Sequence, residues 1–583
     1  MRHFFEKFSG RFLFIIALLA FLSLLLQYGF HLTAEVHIAL SQSYVLIFGL
    51  FIFYQLGRIF YSENRIEYIK SRWFDFLLLL LILIQTVIFI IKPSTFTEVA
   101  GYFNVTDLNL FYIIVLQIYI VVSLSIKAVR FAQTIAEFQI QPAKLFLGSF
   151  FLLILFGTGL LMLPKATTTG SISFVDALFT STSAVCVTGL IVVDTATYFT
   201  QFGQIIILCL FQIGGLGVMT ITTFFAIFFA GGLGIKERVL IGDMIDEEKI
   251  GQISKTLIQI IMLTFGLEAV GAVLIFQGFE NTSLTLNERL FHSIFHSISA
   301  FCNAGFSTFS DNLYSVHTRF NYTILGTVSI LIICGGFGFA AIMNVFETAL
   351  SRFKKSRLRR RHLTIQTKIV LISTVILIIG GMILFLLLEN NSTLKDFTLD
   401  QKILASLFQS VTTRTAGFNT LPIDKILIPT SLVFIMWMLI GASPGGTGGG
   451  LKTTTVFISI VAFYEFVRGK KKIEIFHRSI SDEIIHRVFT KIVFSFVFLF
   501  STLIILSYIE SHSLIDLLFE QVSAFGTVGL SRGITGQLTD PGKLIITLIM
   551  YIGRVGPLTF MLALTRKIIT ENYDYPSENI STI

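Results

Sequence analysis

Val185-Cys-Val-Thr-Gly-Leu190 is a short turn that returns three times, as Phe301-Cys-Asn-Ala-Gly-Phe306, Thr413-Arg-Thr-Ala-Gly-Phe418 and Phe525-Gly-Thr-Val-Gly-Leu530. Its last glycines, Gly189, Gly305, Gly417 and Gly529, are 116, 112 and 112 residues apart. Each copy closes a short, semi-apolar run: 174–184, 290–300, 403–412 and 514–524. A membrane-spanning helix needs ~20 apolar residues, so runs of this length predict re-entrant half-helices rather than spans. Gly turns at unrelated helix ends would not keep a near-constant period. The sequence predicts one pore loop used four times.

An ion pathway explains the composition of these turns. Backbone carbonyls replace the water shell of a dehydrating cation when several of them point the same way. That geometry needs positive φ, which glycine adopts without steric cost. Irregular backbone at membrane depth survives only inside protein or along a cavity. The half-helix before each turn aims its negative C-terminal end at the site, which favours a cation. Asp176 and Asp516, each 13 residues before its glycine, suit the opposite end. The expected filter is therefore Val187, Thr188 and Gly189 with Asn303, Ala304 and Gly305, then Thr415, Ala416 and Gly417 with Thr527, Val528 and Gly529.

The whole chain agrees with a membrane setting. Of 583 residues, 54% are hydrophobic and 13% charged, and the mean hydropathy is +0.81. Soluble domains carry about a quarter charged residues, so the composition specifies a polytopic membrane protein. The net charge of +8 sits in particular loops and is no nucleic-acid signal. Cys186, Cys209, Cys302 and Cys334 form no metal or disulfide pattern, and Cys186 and Cys302, at equivalent positions three before their glycines, read as small packing residues. His292 and His296, four apart, are the best metal-like pair, and without a third ligand they make a weak site. A membrane enzyme is thus the remote alternative; no catalytic constellation stands out.

In chain order, 1–142 reads as an N-terminal extension of four spans, near 12–30, 43–60, 73–92 and 109–126. Four repeats follow: 143–235, 252–350, 364–468 with an intramembrane loop, and 486–568. A tail, 569–583, ends the chain. First spans are expected near 145–164, 256–277, 368–388 and 489–508, and second spans near 203–230, 323–347, 428–463 and 543–564. That makes about twelve transmembrane helices in an all-α protein. Lys and Arg cluster in the connector 57–72, from 351 to 368 and from 468 to 487. By the positive-inside rule these loops and both termini face the cytoplasm. The clusters also suit anionic membrane lipid.

The second spans share Ile213-Gly-Gly-Leu-Gly217, Cys334-Gly-Gly-Phe-Gly338, Ile440-Gly-Ala-Ser-Pro444 and Ile552-Gly-Arg-Val-Gly556. Small residues there permit close helix packing. The third motif runs on as Gly441-Ala-Ser-Pro-Gly-Gly-Thr-Gly-Gly-Gly-Leu-Lys452. Its members Gly441, Ser443, Pro444, Gly445, Gly446, Thr447, Gly448, Gly449, Gly450 and Lys452 cannot hold a helix. Leu451 stands between Gly450 and Lys452, which excludes a phosphate-binding loop. The segment is expected to obstruct the pathway beneath the loops. In the fourth motif, Arg554 stands where the others have Gly215, Gly336 and Ala442. A charge at that depth costs roughly 2.5–3.5 kcal/mol and calls for a watery cavity or a carboxylate. The preferred role is a positive charge tuning cation passage; Glu520 is the carboxylate candidate for a structural one.

Together these motifs resemble the Trk/Ktr/HKT superfamily of potassium transporters, of the KtrB/TrkH membrane-subunit type with an extended N-terminus. The likeness covers about 143–568. It implies pseudo-fourfold symmetry around one pore, with four glycines lining a potassium filter where K+ is the only metal held. It further implies an intramembrane gating loop at 441–452, a pore arginine at Arg554, and homodimers on a separate cytosolic nucleotide-binding regulatory ring of RCK type. Sodium-preferring members carry serine at the first filter glycine, so Gly189 implies a preference for potassium. The function expected is potassium uptake across the bacterial inner membrane, with no cofactor in this chain. A sodium-permeable or sodium-coupled transporter is the alternative, Na+ then acting as coupling or activating ion.

Overall fold

The computed structural model describes residues 142–217, 253–280, 282–353, 362–470 and 472–565, with short pieces between 19 and 50 and Leu80 before them. Most of the four expected N-terminal spans, the second half of the first repeat's second span and the basic stretch 354–361 lie outside the described residues.

The described chain is helical, and each first span is followed by a pore helix and a second span. In order they are α1 (Pro142–Leu161), α2 (Phe174–Val185) and α3 (Gln201–Leu216), then α4 (Ile253–Gly278), α5 (Leu286–Cys302), α6 (Tyr322–Phe337) and α7 (Phe339–Phe353). The third group is α8 (Ile365–Glu389), α9 (Leu399–Thr412), α10 (Ile428–Leu439) and α11 (Thr453–Val467). The fourth is α12 (Asp482–Ile509), α13 (Leu514–Gly526), α14 (Asp540–Val555) and α15 (Pro557–Leu564). A small hairpin, β1 (Glu474–Ile475) with β2 (Arg478–Ser479), joins the last two groups.

Caps explain where the pore helices begin. Ser173 and Ser513 accept the backbone N–H of Asp176 and Asp516. Thr285 with Glu288, and Thr398 with Gln401, form capping boxes, which start α5 and α9 four residues ahead of the runs read from hydropathy. Among the described residues, α1, α4, α8 and α12 are long and apolar enough to cross a membrane. Their outer faces carry exposed apolar side chains such as Leu387, Phe500 and Tyr508, suited to lipid.

Two second spans, expected near 323–347 and 543–564, are bent pairs of helices and not continuous ones. The chain bends by 101° between α6 and α7 and by 97° between α14 and α15. The bends fall on Gly338 and Gly556, at φ 92° and 90°, outside the right-handed helical region. Pro557 reinforces the second bend by disfavouring helical backbone before it. Helix α3 likewise ends at Gly217, φ 84°, and the third second span is interrupted from 440 to 452.

Packing runs round in one direction. Helix α3 packs on the next group's pore helix α5, α6 on α9, α10 on α13, and α14 returns to α2. Phe179, Phe295, Phe408 and Phe519, one on each pore helix, are completely buried in the seams. The third lies nine residues before its glycine and the others ten, as the shorter third loop requires.

Candidate functional site

The four turns meet. A Cβ added to Gly189 would strike the carbonyl oxygen of Ala304 beside Gly305, and one on Gly305 the oxygen of Ala416 beside Gly417. On Gly417 it would strike the oxygen of Val528 beside Gly529, and on Gly529 the oxygen of Thr188 beside Gly189. The four glycines therefore close a ring, each against the carbonyl that precedes the next glycine. Their φ angles are 90°, 71°, 75° and 91°.

A second left-handed residue stands two before each glycine. Val187, Asn303, Thr415 and Thr527 have φ of 57°, 60°, 69° and 50°. Such backbone is strained for residues other than glycine and persists only where its surroundings over-determine it. Here pore-helix hydroxyls do so. Ser183 Oγ accepts Gly189 N–H and Ser523 Oγ accepts Gly529 N–H, each at 3.0 Å. Ser299 Oγ donates to Phe306 O at 2.8 Å, and Thr412 Oγ1 to Phe418 O at 2.6 Å. Thr412 serves from one position nearer its glycine, the structural counterpart of the shortened third loop. Between turns, with its Nδ2 toward the carbonyls of Ala300 and Ile332, the Asn303 amide accepts from the Thr415 hydroxyl at 3.0 Å.

One support recurs that the sequence reading missed. Ser181, Ser297 and Ser410 each donate to a carbonyl of their own first span, at Ile154, Glu268 and Ile378. Three residues on, Gly157, Gly271 and Gly381 leave room for those hydroxyls. In the fourth group Gln521 bonds the carbonyl of Leu499 and the hydroxyl of Thr502 instead. The signal was a small residue facing a hydroxyl, legible only once the repeats are superposed.

The Gly-rich interruption lies under the ring, tied to the second and fourth groups. Ser443 N–H and Thr447 N–H donate to Gly336 O and Gly335 O at 3.0 and 3.1 Å, and Phe339 N–H donates to Gly445 O at 3.2 Å. Gly449 N–H donates to Thr527 Oγ1 at 2.7 Å, and Gly450 N–H to Gly553 O at 3.2 Å. Lys452 Nζ turns back onto Gly448 O at 2.7 Å. Gly441 N–H meets Leu451 O at 2.8 Å, pinching the ends of the segment together. Gly448 has no room for a side chain because Thr415 and Ala442 fill it; Gly445 faces open space.

Arg554 belongs to this arrangement. Its guanidinium donates to the carbonyl oxygens of Thr447 and Gly214 and reaches Gly215 O at 3.5 Å. Glu520 is not its partner: that carboxylate accepts from Thr535 Oγ1 instead. The charge is met by backbone carbonyls, those of Gly214 and Gly215 at the C-terminal end of α3 and that of Thr447 in the interruption, which offer partial negative charge without a carboxylate.

Other expected groups resolve simply. His292 and His296 direct their ring nitrogens at Thr308, Ser307 and the His292 carbonyl, which leaves no metal-binding pair. No cluster able to hold a metal occurs among the described residues. Cys186 is buried packing, whereas Cys302 Sγ lies 3.2 Å from Gln212 Oε1, whose amide in turn bonds Glu268 at 3.1 Å. Asp176 and Asp516 pair with Lys543 and Arg532 at 2.7 and 2.6 Å. At the end of α11, Glu465 pairs with Lys470 beyond the helix and raises its pKa.

Comparison with known proteins follows the same outline. The TrkH family model, described as a cation transport protein, matches residues 115–575, beginning ahead of the boundary at 143 expected from the motifs. The chain is 37% identical to Ktr system potassium uptake protein B of Bacillus subtilis (strain 168), over 76% of this chain and 97% of that one. It is 36% identical to the potassium/sodium uptake protein NtpJ of Enterococcus hirae, with the same two shares. In fold it is similar to the potassium transporter TrkH from Vibrio parahaemolyticus, with a TM-score of 0.59 and 16% identity, over 85% of this chain and 98% of that one.

Proposed function

The chain belongs to the TrkH family of cation transport proteins, and from that premise we propose that it carries potassium into the cell through the ring of four turns. The observation that carries this reading is the closure of Gly189, Gly305, Gly417 and Gly529 against one another's carbonyls. Carbonyls held at positive-φ turns substitute for the hydration shell of a cation. Four half-helix C-termini add negative potential at the same place. Arg554 and the interruption 441–452 form the gate below. The names of the Ktr relatives, which describe potassium uptake, support the choice of ion.

A sodium-permeable or sodium-coupled transporter is the second reading, favoured by the name of the Enterococcus relative. On either reading the protein is a multi-pass protein of the bacterial inner membrane, with both termini cytoplasmic. Its order is a four-span extension, four repeats with pseudo-fourfold symmetry, and a short tail. It pairs as a homodimer on a separate nucleotide-binding ring. The deciding experiment is growth rescue of a potassium-uptake-deficient bacterium at limiting potassium, with sodium varied. Rescue that sodium does not compete away supports potassium uptake; no rescue by well-expressed protein overturns it.

A further inference from the structure

We infer that Glu520, His296 and Gln409 are positioning residues that fix the filter turns from one helical turn before the pore-helix hydroxyls. The inference rests on the ring being an ion filter. Glu520 and His296 lie nine residues before Gly529 and Gly305, and Gln409 lies eight before Gly417 in the shortened third turn. Thr180 holds the corresponding place in the first group. All four side chains are buried.

Three of them make one kind of tie, from the pore helix to a hydroxyl on the chain leaving the turn. His296 Nε2 lies 2.9 Å from Ser307 Oγ, and Gln409 Nε2 lies 3.4 Å from Thr420 Oγ1. Glu520 Oε1 accepts from Thr535 Oγ1, which is itself 2.8 Å from Ser531 Oγ. Ser307 and Ser531 stand two residues past their glycines, and Thr420 three. Imidazole, amide and carboxylate share only the capacity to hold that hydroxyl. The tie, and not the charge of any one of them, is therefore the common feature.

The tie acts on strained backbone. Each turn carries two left-handed residues, a conformation that persists only where its surroundings hold it. Ser183, Ser299, Thr412 and Ser523 bond the turn itself. The second tie is present in the second, third and fourth groups; in the first, the Thr180 hydroxyl is buried without a partner. Glu520 Oε2 and Gln409 Oε1 are buried without a hydrogen-bond partner. Loosening a tie lets the carbonyl ring relax around the smaller sodium ion.

The test is potassium uptake by the whole protein in reconstituted vesicles, with sodium as competitor. Glu520→Gln keeps the acceptor for Thr535 and should leave the potassium preference within about twofold of wild type. Glu520→Ala, and Thr420→Val in the third group, should each lower that preference by about tenfold, the weight of one hydrogen bond. Thr420→Val keeps the side-chain volume and decides the matter if Glu520→Ala fails to assemble. Unchanged preference in the assembled Ala and Val variants overturns the inference, as does a loss in Glu520→Gln equal to that in Glu520→Ala. A wild type without potassium preference sinks the functional reading and the inference with it; a selective wild type with unaffected variants sinks the inference alone.

Discussion

Arg554 donates to the carbonyl oxygen of Thr447, so the positive charge of the fourth broken span clasps the Gly-rich interruption of the third. The same guanidinium reaches Gly214 O and thereby joins the first group to the clasp. Two proposed roles coincide here: a charge that repels cations and a fork that holds a gate shut.

Arg554→Lys and Arg554→Gln separate them. A lysine keeps the charge but cannot span two carbonyls as a planar fork does. A hydrogen bond to a charged group is worth about 1.5–3 kcal/mol, so losing the clasp should shift the gate toward open by roughly ten- to a hundredfold. Potassium flux should rise in both variants if the clasp governs, and in Gln alone if the charge does. Because Glu520 does not meet Arg554, neutralising it should not rescue either variant. Reduced flux in normally assembled Arg554→Gln would refute both roles.

Gly189→Ser places a side chain where the Ala304 carbonyl stands, at φ 90°. The ring must open or rotate, and the expected result is loss of potassium preference over sodium. Gly170 is the internal control: its φ is also positive, but open space surrounds it. Gly170→Ser should therefore leave selectivity intact. Competition assays on the two proteins at matched membrane amounts give the comparison.

Glu389 is fully buried at the end of α8 and accepts from Leu427 N–H at 2.9 Å, Thr430 Oγ1 at 2.5 Å and Thr393 Oγ1 at 3.0 Å. It caps α10 from the preceding span, as Glu510 caps α14 through Thr539. Glu389→Ala strands three donors and should cost about 3 kcal/mol. A clear drop in the unfolding temperature of detergent-solubilised protein is expected, with the ion preference of the folded fraction unchanged.

The four glycine turns were legible because they recur at near-constant spacing, and repetition is a signal a single sequence carries. The left-handed turns at Val187 and Thr415 were not, since β-branched residues avoid such backbone and nothing in their identity announces it. Helix breaks at Gly338 and Gly556 were hidden because hydropathy continues across the bend. The partners of Arg554 were missed for another reason. A search for a carboxylate overlooks backbone carbonyls, which every residue offers and only the fold can aim.

The interruption 441–452 supplies the final prediction. Room for a side chain along it is unequal: Gly448 is wedged against Thr415 and Ala442, while a Cβ on exposed Gly445 would meet nothing. The Gly445 carbonyl is tied to Phe339 N–H. Gly445→Ala leaves that tie in place, and only the φ of 71° resists a side chain, by about 1 kcal/mol. Gly448→Ala tests the wedged position, where a methyl group must displace the Thr415 side chain directly below the filter. Removing several residues between Gly445 and Gly450 takes away the obstruction altogether. Potassium flux should change little in Gly445→Ala, and should rise most in the deletion, with weakened control by a cytosolic partner. Gly448→Ala should alter selectivity as well as flux, because Thr415 carries the strained turn of the third filter loop. Lower flux in a deletion variant that assembles normally would make the segment a support for the filter and not a gate.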